Sequence, residues 1–525
     1  MVRSTFGVHS PLRANAETLG DLLDKITALN RSHCILDPAT WLEGRYRPTP
    51  TIVEAAEALY AGHGVESIAH ASASAKNLEE TSDAVFEVID RCRRESKLAV
   101  CFVTGTPGSG KTLAGLSAVH NPRLRELDSH AAYLSGTRPL VEVLRRALAE
   151  DHVARNPGAR IGDAKRAVRA EIQPLMGYLT EYLKNQPSHP PHEHVIVFDE
   201  AQRAWDADYG FKQFRREKSE PALFLEIMAR RKDWAVIVAL VGGGQEINRG
   251  EGGLREWGNA LTEWNRRQSR QWGIYLAPER VQDTGALSSL HDETSRSSIP
   301  AVADTRLHLA VSTRSYRWDT TAWVNSLLQG DLDRAASLAQ SASGFPIYLT
   351  RSLATARQWL TENTRGMRRC GLVASSGARR LVAEGLGVAL RSNDLDETVN
   401  WFLRERSDFR SSYSLEVTAS EYTCQGLELD NVGLCWGGDL IWDVEGRSWT
   451  HRKLSGIHWR TSRQPLEQEY AANKYRVLLT RARNSMVIWV PQGDPNDPTR
   501  DPSGFNRTAA ALAAAGAIPI DDKQG

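Results

Sequence analysis

The spacing of apolar and polar residues changes along this chain, and the changes mark its elements. Ile52-Val53-Glu54-Ala55-Ala56-Glu57-Ala58-Leu59-Tyr60 is an amphipathic run, and Thr51, after Pro48 and Pro50, is placed to cap it as a helix. Asn77 to Arg94 repeats the helical period through Leu78, Val85, Phe86, Val88 and Ile89. Leu98-Ala99-Val100-Cys101-Phe102-Val103 is instead continuously apolar and short, as a strand buried on both faces of a parallel sheet must be. Ala131 to Ser135, His194 to Phe198 and Ala235 to Val241 read the same way. Residues 138 to 186 are mostly helical and basic, and Pro187-Ser188-His189-Pro190-Pro191-His192 is a loop because its prolines cannot continue a helix. Strands alternating with helices predict an α/β fold with a doubly wound parallel sheet.

A second strand–helix series begins near Leu307, with strands expected at Gly371 to Ala374, Leu415 to Thr418, Val432 to Cys435 and Met486 to Val490. The expected layout is a small helical lead-in over 1–76 and a first lobe over 77–280, with a helical insertion near 138–186. A Ser/Thr/Asp-rich linker over 281–304, a second lobe over 305–492 and a C-terminal tail over 493–525 complete it. A chain of 525 residues is long enough for several cores, and 41% hydrophobic with 25% charged residues is ordinary for a globular protein.

The formal net charge of +1 gives no global attraction to nucleic acid, so any basic surface has to be local. Six cysteines (Cys34, Cys92, Cys101, Cys370, Cys424 and Cys435) show neither a CxxC pair nor metal-ligand spacing and read as reduced thiols. The longest apolar run, Trp234 to Val241, is too short to cross a bilayer, and Met1 to Phe6 lacks the apolar core of a secretory signal. No membrane partner and a cytoplasmic location are therefore expected.

Chemistry concentrates in a few stretches. Gly105-Thr106-Pro107-Gly108-Ser109-Gly110-Lys111-Thr112 fits the phosphate-loop pattern GxxxxGK[ST], preceded by a strand and followed by helical Leu113-Ala114-Gly115-Leu116. Glycines let backbone N–H groups curl around phosphate oxygens at a helix N-terminus. Lys111 is placed to reach the β- and γ-phosphates of ATP or GTP, and Thr112 to hold Mg²⁺. Asp199 and Glu200 end a strand, where open α/β sheets bind ligands. Asp199 suits the second Mg²⁺ contact and Glu200 suits the attacking water. Gln245, after a strand and three glycines, can orient that water. Arg481, in Thr480-Arg481-Ala482-Arg483, can cross from a second lobe onto the γ-phosphate, a contribution on the order of 10³ to 10⁵ in rate. Arg314 is a similar candidate, and Glu428, in Gln425-Gly426-Leu427-Glu428, can accept a ribose hydroxyl. Arg481 and Arg483 also fit two surface arginines that end a helix favourably, and Arg314 and Glu428, taken singly, also fit polar surface turns. Phe211 to Arg216, Trp264 to Trp272, and Lys165, Arg166 and Arg169 interleave bases with aromatics or cluster on one helix. They suit phosphates and stacked bases, or equally a solvated helix face.

The order of the pieces carries a resemblance. Gly105 to Thr112, Ser135-Gly136-Thr137, Asp199-Glu200-Ala201-Gln202, Val241 to Gln245, Ser312-Thr313-Arg314-Ser315, Val417 to Leu429 and Val477 to Arg483 resemble, in sequence order, the motifs of superfamily 1 helicases. Within that superfamily the chain is similar to the bacterial Schlafen group 3-like DNA/RNA helicase domain family. The likeness lies in Tyr46 to Ile52, Phe102 to Gly105, Val197 to Trp205 and Arg476 to Arg481. It implies two RecA-like lobes with ATP and Mg²⁺ between them, and Gln245, Arg314 and Arg481 on the γ-phosphate. It also implies DNA or RNA, as a single strand, crossing near Ser135 to Arg138 and Thr418 to Tyr422. The implied function is an ATP-dependent helicase or translocase serving phage defence or DNA repair, with a protein partner in a multi-component system as a further implication. The alternative is a regulatory ATPase switch that acts on a protein partner without unwinding. The chain departs from the pattern at Gly242-Gly243-Gly244, where helicases usually carry an acidic residue, and in lacking an evident adenine-reading glutamine around Asn77 to Ser82.

Overall fold

The computed structural model describes residues 15, 17–29, 51–61, 72–105, 109–121, 124, 129–242, 253–277, 301–309, 320–342, 346–366, 368–462 and 464–520. The chain divides into two units, Met1–Pro48 and Thr49–Gly525. The described part of the first is the helix Leu19–Leu29 with Asn15, Glu17 and Thr18 before it. The second unit holds both lobes.

The first lobe is built on β1 (Leu98–Gly105), β2 (His130–Ser135), β3 (Ile172–Pro174), β4 (Glu193–Asp199), β5 (Ala235–Gly242), β6 (Trp272–Leu276), β7 (Ala301–Ala303) and β8 (His308–Leu309). They form a sheet in the order β3-β2-β4-β5-β1-β6-β7, with β8 on the end of β1, and every pairing is parallel. β1, β4 and β5 are buried at every position. Their uninterrupted apolar runs are what a sheet covered on both faces requires. Thr51 caps the helix Ile52–Tyr60 as expected. Its hydroxyl accepts from the Glu54 N–H at 3.2 Å, and the Glu54 carboxylate accepts from the Thr51 N–H at 2.7 Å. This helix packs against the helices Lys111–His120 and Arg138–Arg155, so it is part of the first lobe rather than a separate lead-in.

The second lobe is built on β9 (Ile347–Thr350), β10 (Cys370–Ala374), β11 (Thr418–Ala419), β12 (Leu429–Cys435), β16 (Ala482–Trp489) and β17 (Ile518–Pro519), in the order β11-β10-β12-β16-β9-β17. A small antiparallel sheet of β13 (Leu440–Asp443), β14 (Ser448–Ser455) and β15 (His458–Thr461) interrupts it between β12 and the helix Pro465–Leu479.

Four boundaries differ from the sequence expectation. Residues 301–309 are not linker and second-lobe start: β7 and β8 pair with β6 and β1 and complete the first sheet. The basic region near 138–186 is not a plain helical insertion, because β3 adds an edge strand between its helices. The strand expected at Leu415 to Thr418 begins only at Thr418, since Leu415 sits at φ 54 and ends a 3₁₀ turn. The segment after 493 is not a free tail. The helix Pro502–Ala514 buries Phe505 and Leu512 and packs on β13, and β17 pairs with β9. Arg500 ties the approach to it through Glu384, Asp494 and Asp497.

Cys92, Cys101, Cys370, Cys424 and Cys435 are buried free thiols, and burial pushes each of them above the ordinary thiol value. Cys34 lies outside the described residues. No described helix is long and apolar enough to cross a membrane.

Phe505 is 3% exposed. Phe505→Ala is expected to cost about 3–5 kcal/mol, read as a lower midpoint in thermal or denaturant unfolding. A midpoint within error of wild type would make the C-terminal helix dispensable.

Candidate nucleotide site

β1 ends at Gly105, and the helix Lys111–His120 begins after Gly110, whose φ of 90° is a left-handed conformation that glycine adopts without a Cβ clash. The Lys111 ammonium donates to the Gly105 carbonyl at 2.7 Å, which folds the lysine back over the loop. Two features fit a phosphate. The Ser109 hydroxyl is buried and has no hydrogen-bond partner among the described residues. The N-cap, Gly110, has no side chain to cap the helix, so its first N–H groups can face an anion. Thr106, Pro107 and Gly108 lie outside the described residues.

Asp199 ends β4, beside the C-terminal ends of β2 and β5. Burial, and then the neighbouring Glu200 charge, raise its pKa, while Lys111 and the Tyr133 hydroxyl act in the opposite direction. Tyr133, on β2, is buried facing both Asp199 and Thr112, and its own pKa is raised well above the ordinary value by burial and by Asp199.

Glu200 adopts φ 54, a left-handed backbone that costs a non-glycine residue about 1–2 kcal/mol. The surroundings hold it there. The Trp257 indole donates to the Ala201 carbonyl at 2.9 Å, and the Arg203 N–H donates to the Glu200 carbonyl at 2.8 Å. Gln202, fully buried, donates through its amide to the Glu200 carboxylate and accepts from the Gly242 N–H at 2.9 Å. One glutamine thus locks the Glu200 carboxylate, just past β4, to the end of β5.

β5 lies between β4 and β1, so Gly242 stands between Glu200 and Lys111. A Cβ on Gly242 would lie 3.3 Å from a Glu200 carboxylate oxygen and 3.4 Å from Cε of Lys111. The first glycine of Gly242-Gly243-Gly244 is therefore the space across which the lysine and the glutamate approach. Gln245 lies outside the described residues.

The second lobe meets the first through the helix Arg138–Arg155, which packs on the helices Leu395–Leu403 and Glu421–Cys424. The approach at Gly426 is so close that a Cβ there would come within 2.7 Å of Leu140. Arg481 sits beside this seam, 1% exposed. Its guanidinium donates to the carbonyls of Val477 at 2.8 Å and Leu427 at 3.3 Å, and to the Thr480 hydroxyl at 3.2 Å. Glu428 pairs with Arg483 at 3.7 Å, and Arg483 also reaches Asp430 at 3.4 Å. Leu427 and Glu428 line an inter-lobe cavity of about 710 Å³ with Glu57, Asp151, Arg369 and Phe402. Burial, Asp151 and Glu54 push the Glu57 carboxyl up to about 7. Arg314 lies outside the described residues.

The structure thus brings Gly105, Ser109, Gly110, Lys111, Thr112, Asp199 and Glu200 together, and engages Arg481 and Glu428 within their own lobe. Sequence reasoning missed Gln202, Tyr133 and Gly242 as parts of the site. Gln202 stands within the Asp199-Glu200-Ala201-Gln202 stretch, but nothing in the local pattern showed that it would be buried against Glu200. Of the basic and aromatic segments, Trp264 to Trp272 is structural: Trp272 is core, the Trp264 indole donates to the Arg270 carbonyl at 2.9 Å, and Arg266 and Arg267 pair with Glu263. Phe211 and Phe214 are exposed, with Arg215 and Arg216 over their rings.

Residues 98–492 match the family model of the Schlafen group 3, DNA/RNA helicase domain. The chain belongs to this family. Among solved structures, the helicase domain is similar to the DUF1998 helicase MrfA bound to DNA and AMPPNP, with a TM-score of 0.32 and 12% identity. The match covers 90% of this chain and 59% of that one. For MrfA bound to DNA the TM-score is 0.34 at 13% identity, over 88% of this chain and 55% of that one. The chain therefore spans somewhat more than half the length of those helicases. No curated protein matches it.

Gly242→Val should separate Lys111 from Glu200 and lower nucleotide turnover about 100-fold, the order expected for a 1 Å misplacement, at a stability cost of about 1–3 kcal/mol from overpacking. Gln202→Leu keeps the packing volume but frees Glu200, and should lower kcat more than it raises KM. Wild-type turnover in both variants would separate the β4–β5 link from the chemistry.

Proposed function

We propose that the helicase domain is an ATP-driven nucleic-acid motor in which a triphosphate bound by the first lobe is sensed by the second. The approach of Lys111 and Glu200 across Gly242 carries this reading. Lys111, Ser109 and the open helix N-terminus would bind the phosphates. Glu200, fixed by Gln202, would take the proton of the attacking water, and Arg481 would bring the second lobe's positive charge to the seam. Thr112 and Asp199 would hold Mg²⁺, which supplies charge neutralisation on the phosphates when bound. Closure of the seam at the helix Arg138–Arg155 would shift the grip on a single DNA or RNA strand passing near Ser135 to Arg138 and Thr418 to Tyr422. Residues 51–309 would then form the first lobe and 320–520 the second.

ATP turnover measured alone and with single-stranded DNA, duplex DNA and RNA, at two salt concentrations, tests the proposal. Stimulation by nucleic acid is expected, as is loss of turnover in Lys111→Ala and Glu200→Gln. Turnover indifferent to every nucleic acid would mark a nucleotide-driven switch instead, and near-normal turnover in either variant would overturn the site.

A further inference from the structure

We propose that the outward face of the β14–β15 hairpin, with Lys453 and Arg460 at its centre, holds the phosphate backbone of a nucleic-acid strand. The proposal rests on the motor reading above and assigns a contact in the second lobe that the helicase motifs do not contain.

Alternation along the hairpin separates two faces. Lys453, Ser455, His458 and Arg460 are exposed, whereas Arg452, Leu454 and Trp459 are half-buried. The inner face is anchored. The Trp459 indole donates to the Thr499 carbonyl at 2.8 Å, and Arg452 lies 4.9 Å over the Trp459 ring while donating to the Gly438 carbonyl at 3.0 Å. The hairpin is therefore a fixed platform for its outer side chains.

That outer face is unusual in its charge. Lys453 and Arg460 are direct cross-strand partners, and like charges at that position repel. Neither makes an ion pair among the described residues. The contrast is Arg500, which is saturated by Glu384, Asp494 and Asp497. A repelling pair left without a carboxylate is what an external anion would relieve.

The face continues into a cavity of about 340 Å³ lined by Lys453, Arg379, Ser376, Tyr422 and Lys474. Its lining carries two carboxylates, both hydrogen-bonded: Asp439 accepts from the Ser375 and Tyr475 hydroxyls, and Glu467 accepts from the Ser462 hydroxyl. Lys474 pairs with Glu421 at 3.3 Å. Arg379, Arg452, Lys453 and Lys474 outnumber the lining carboxylates, and Arg379 is exposed at the rim. Tyr422, with Lys474 5.6 Å from its ring centre, joins this wall to the segment along which the strand is proposed to run. Phosphates bound by cations and a base against an aromatic ring are the two elements of single-strand recognition.

The full chain carrying Lys453→Ala and Arg460→Ala together tests the contact. Removing two repelling charges should leave the unfolding midpoint unchanged or raised, and ATP turnover without nucleic acid unchanged. Affinity for a fluorescein-labelled single-stranded oligonucleotide should fall about tenfold or more, and the slope of log K against log salt should become shallower by about 1.4 for two lost phosphate contacts. Wild-type affinity, or weaker affinity with an unchanged slope, would overturn the hairpin contact while leaving the motor intact. Failure of the wild-type chain itself to bind any DNA or RNA oligonucleotide would overturn both.

Discussion

The C-terminal end of β5 is wedged between the lysine that follows β1 and the glutamate that follows β4, and only a glycine there leaves both side chains room to approach. Parallel pairing fixes this arrangement: Gly105 and Gly242 are register partners, so the phosphate loop and the end of β5 lie at the same level. Gln202 then fastens the remaining side, joining the Glu200 carboxylate to the Gly242 amide. The left-handed backbone at Glu200 is sustained by these neighbours, since such strain persists only where the surroundings over-determine it. A helicase motif that looks depleted of chemistry in sequence is, in space, the clearance on which the site depends.

The two lobes are joined by packing more than by charge. Leu140 meets Gly426 at a distance no side chain would allow, and the helix Arg138–Arg155 covers the helices Leu395–Leu403 and Glu421–Cys424. The cross-lobe ion pair between Arg404 and Glu150, at 3.7 Å and about one-third exposed, adds little by comparison. The helix that begins immediately after β2 thus carries the contact with the second lobe. Beside this contact the Leu427 carbonyl accepts from Arg481 at 3.3 Å.

Charge on this chain is almost balanced overall but unevenly used. Several exposed arginines meet carboxylates close by, as Arg166 does with Asp163, Arg410 with Asp408 and Arg447 with Asp333. In the hairpin inserted between β12 and the helix Pro465–Leu479, Lys453 and Arg460 instead stand as direct cross-strand partners of like charge. A near-neutral total thus coexists with a local cationic pair.

The sequence by itself determined whatever depends on neighbours along the chain. The apolar runs of β1, β4 and β5, the Thr51 cap, the glycine loop before Lys111 and the acidic end of β4 are set by a few consecutive residues, and each was legible. Strand order was not, because it is decided by pairing between residues up to a couple of hundred positions apart. That pairing put β5 between β1 and β4, returned residues 301–309 to the first sheet and drew the C-terminal helix and β17 into the second. It also decided that Arg481 rests against the carbonyls of Val477 and Leu427, and that Gln202 is buried on Glu200 rather than exposed in a turn. No local pattern records which strand will lie beside which; the packing of the whole lobe selects it, and the chemistry of the site follows from that choice.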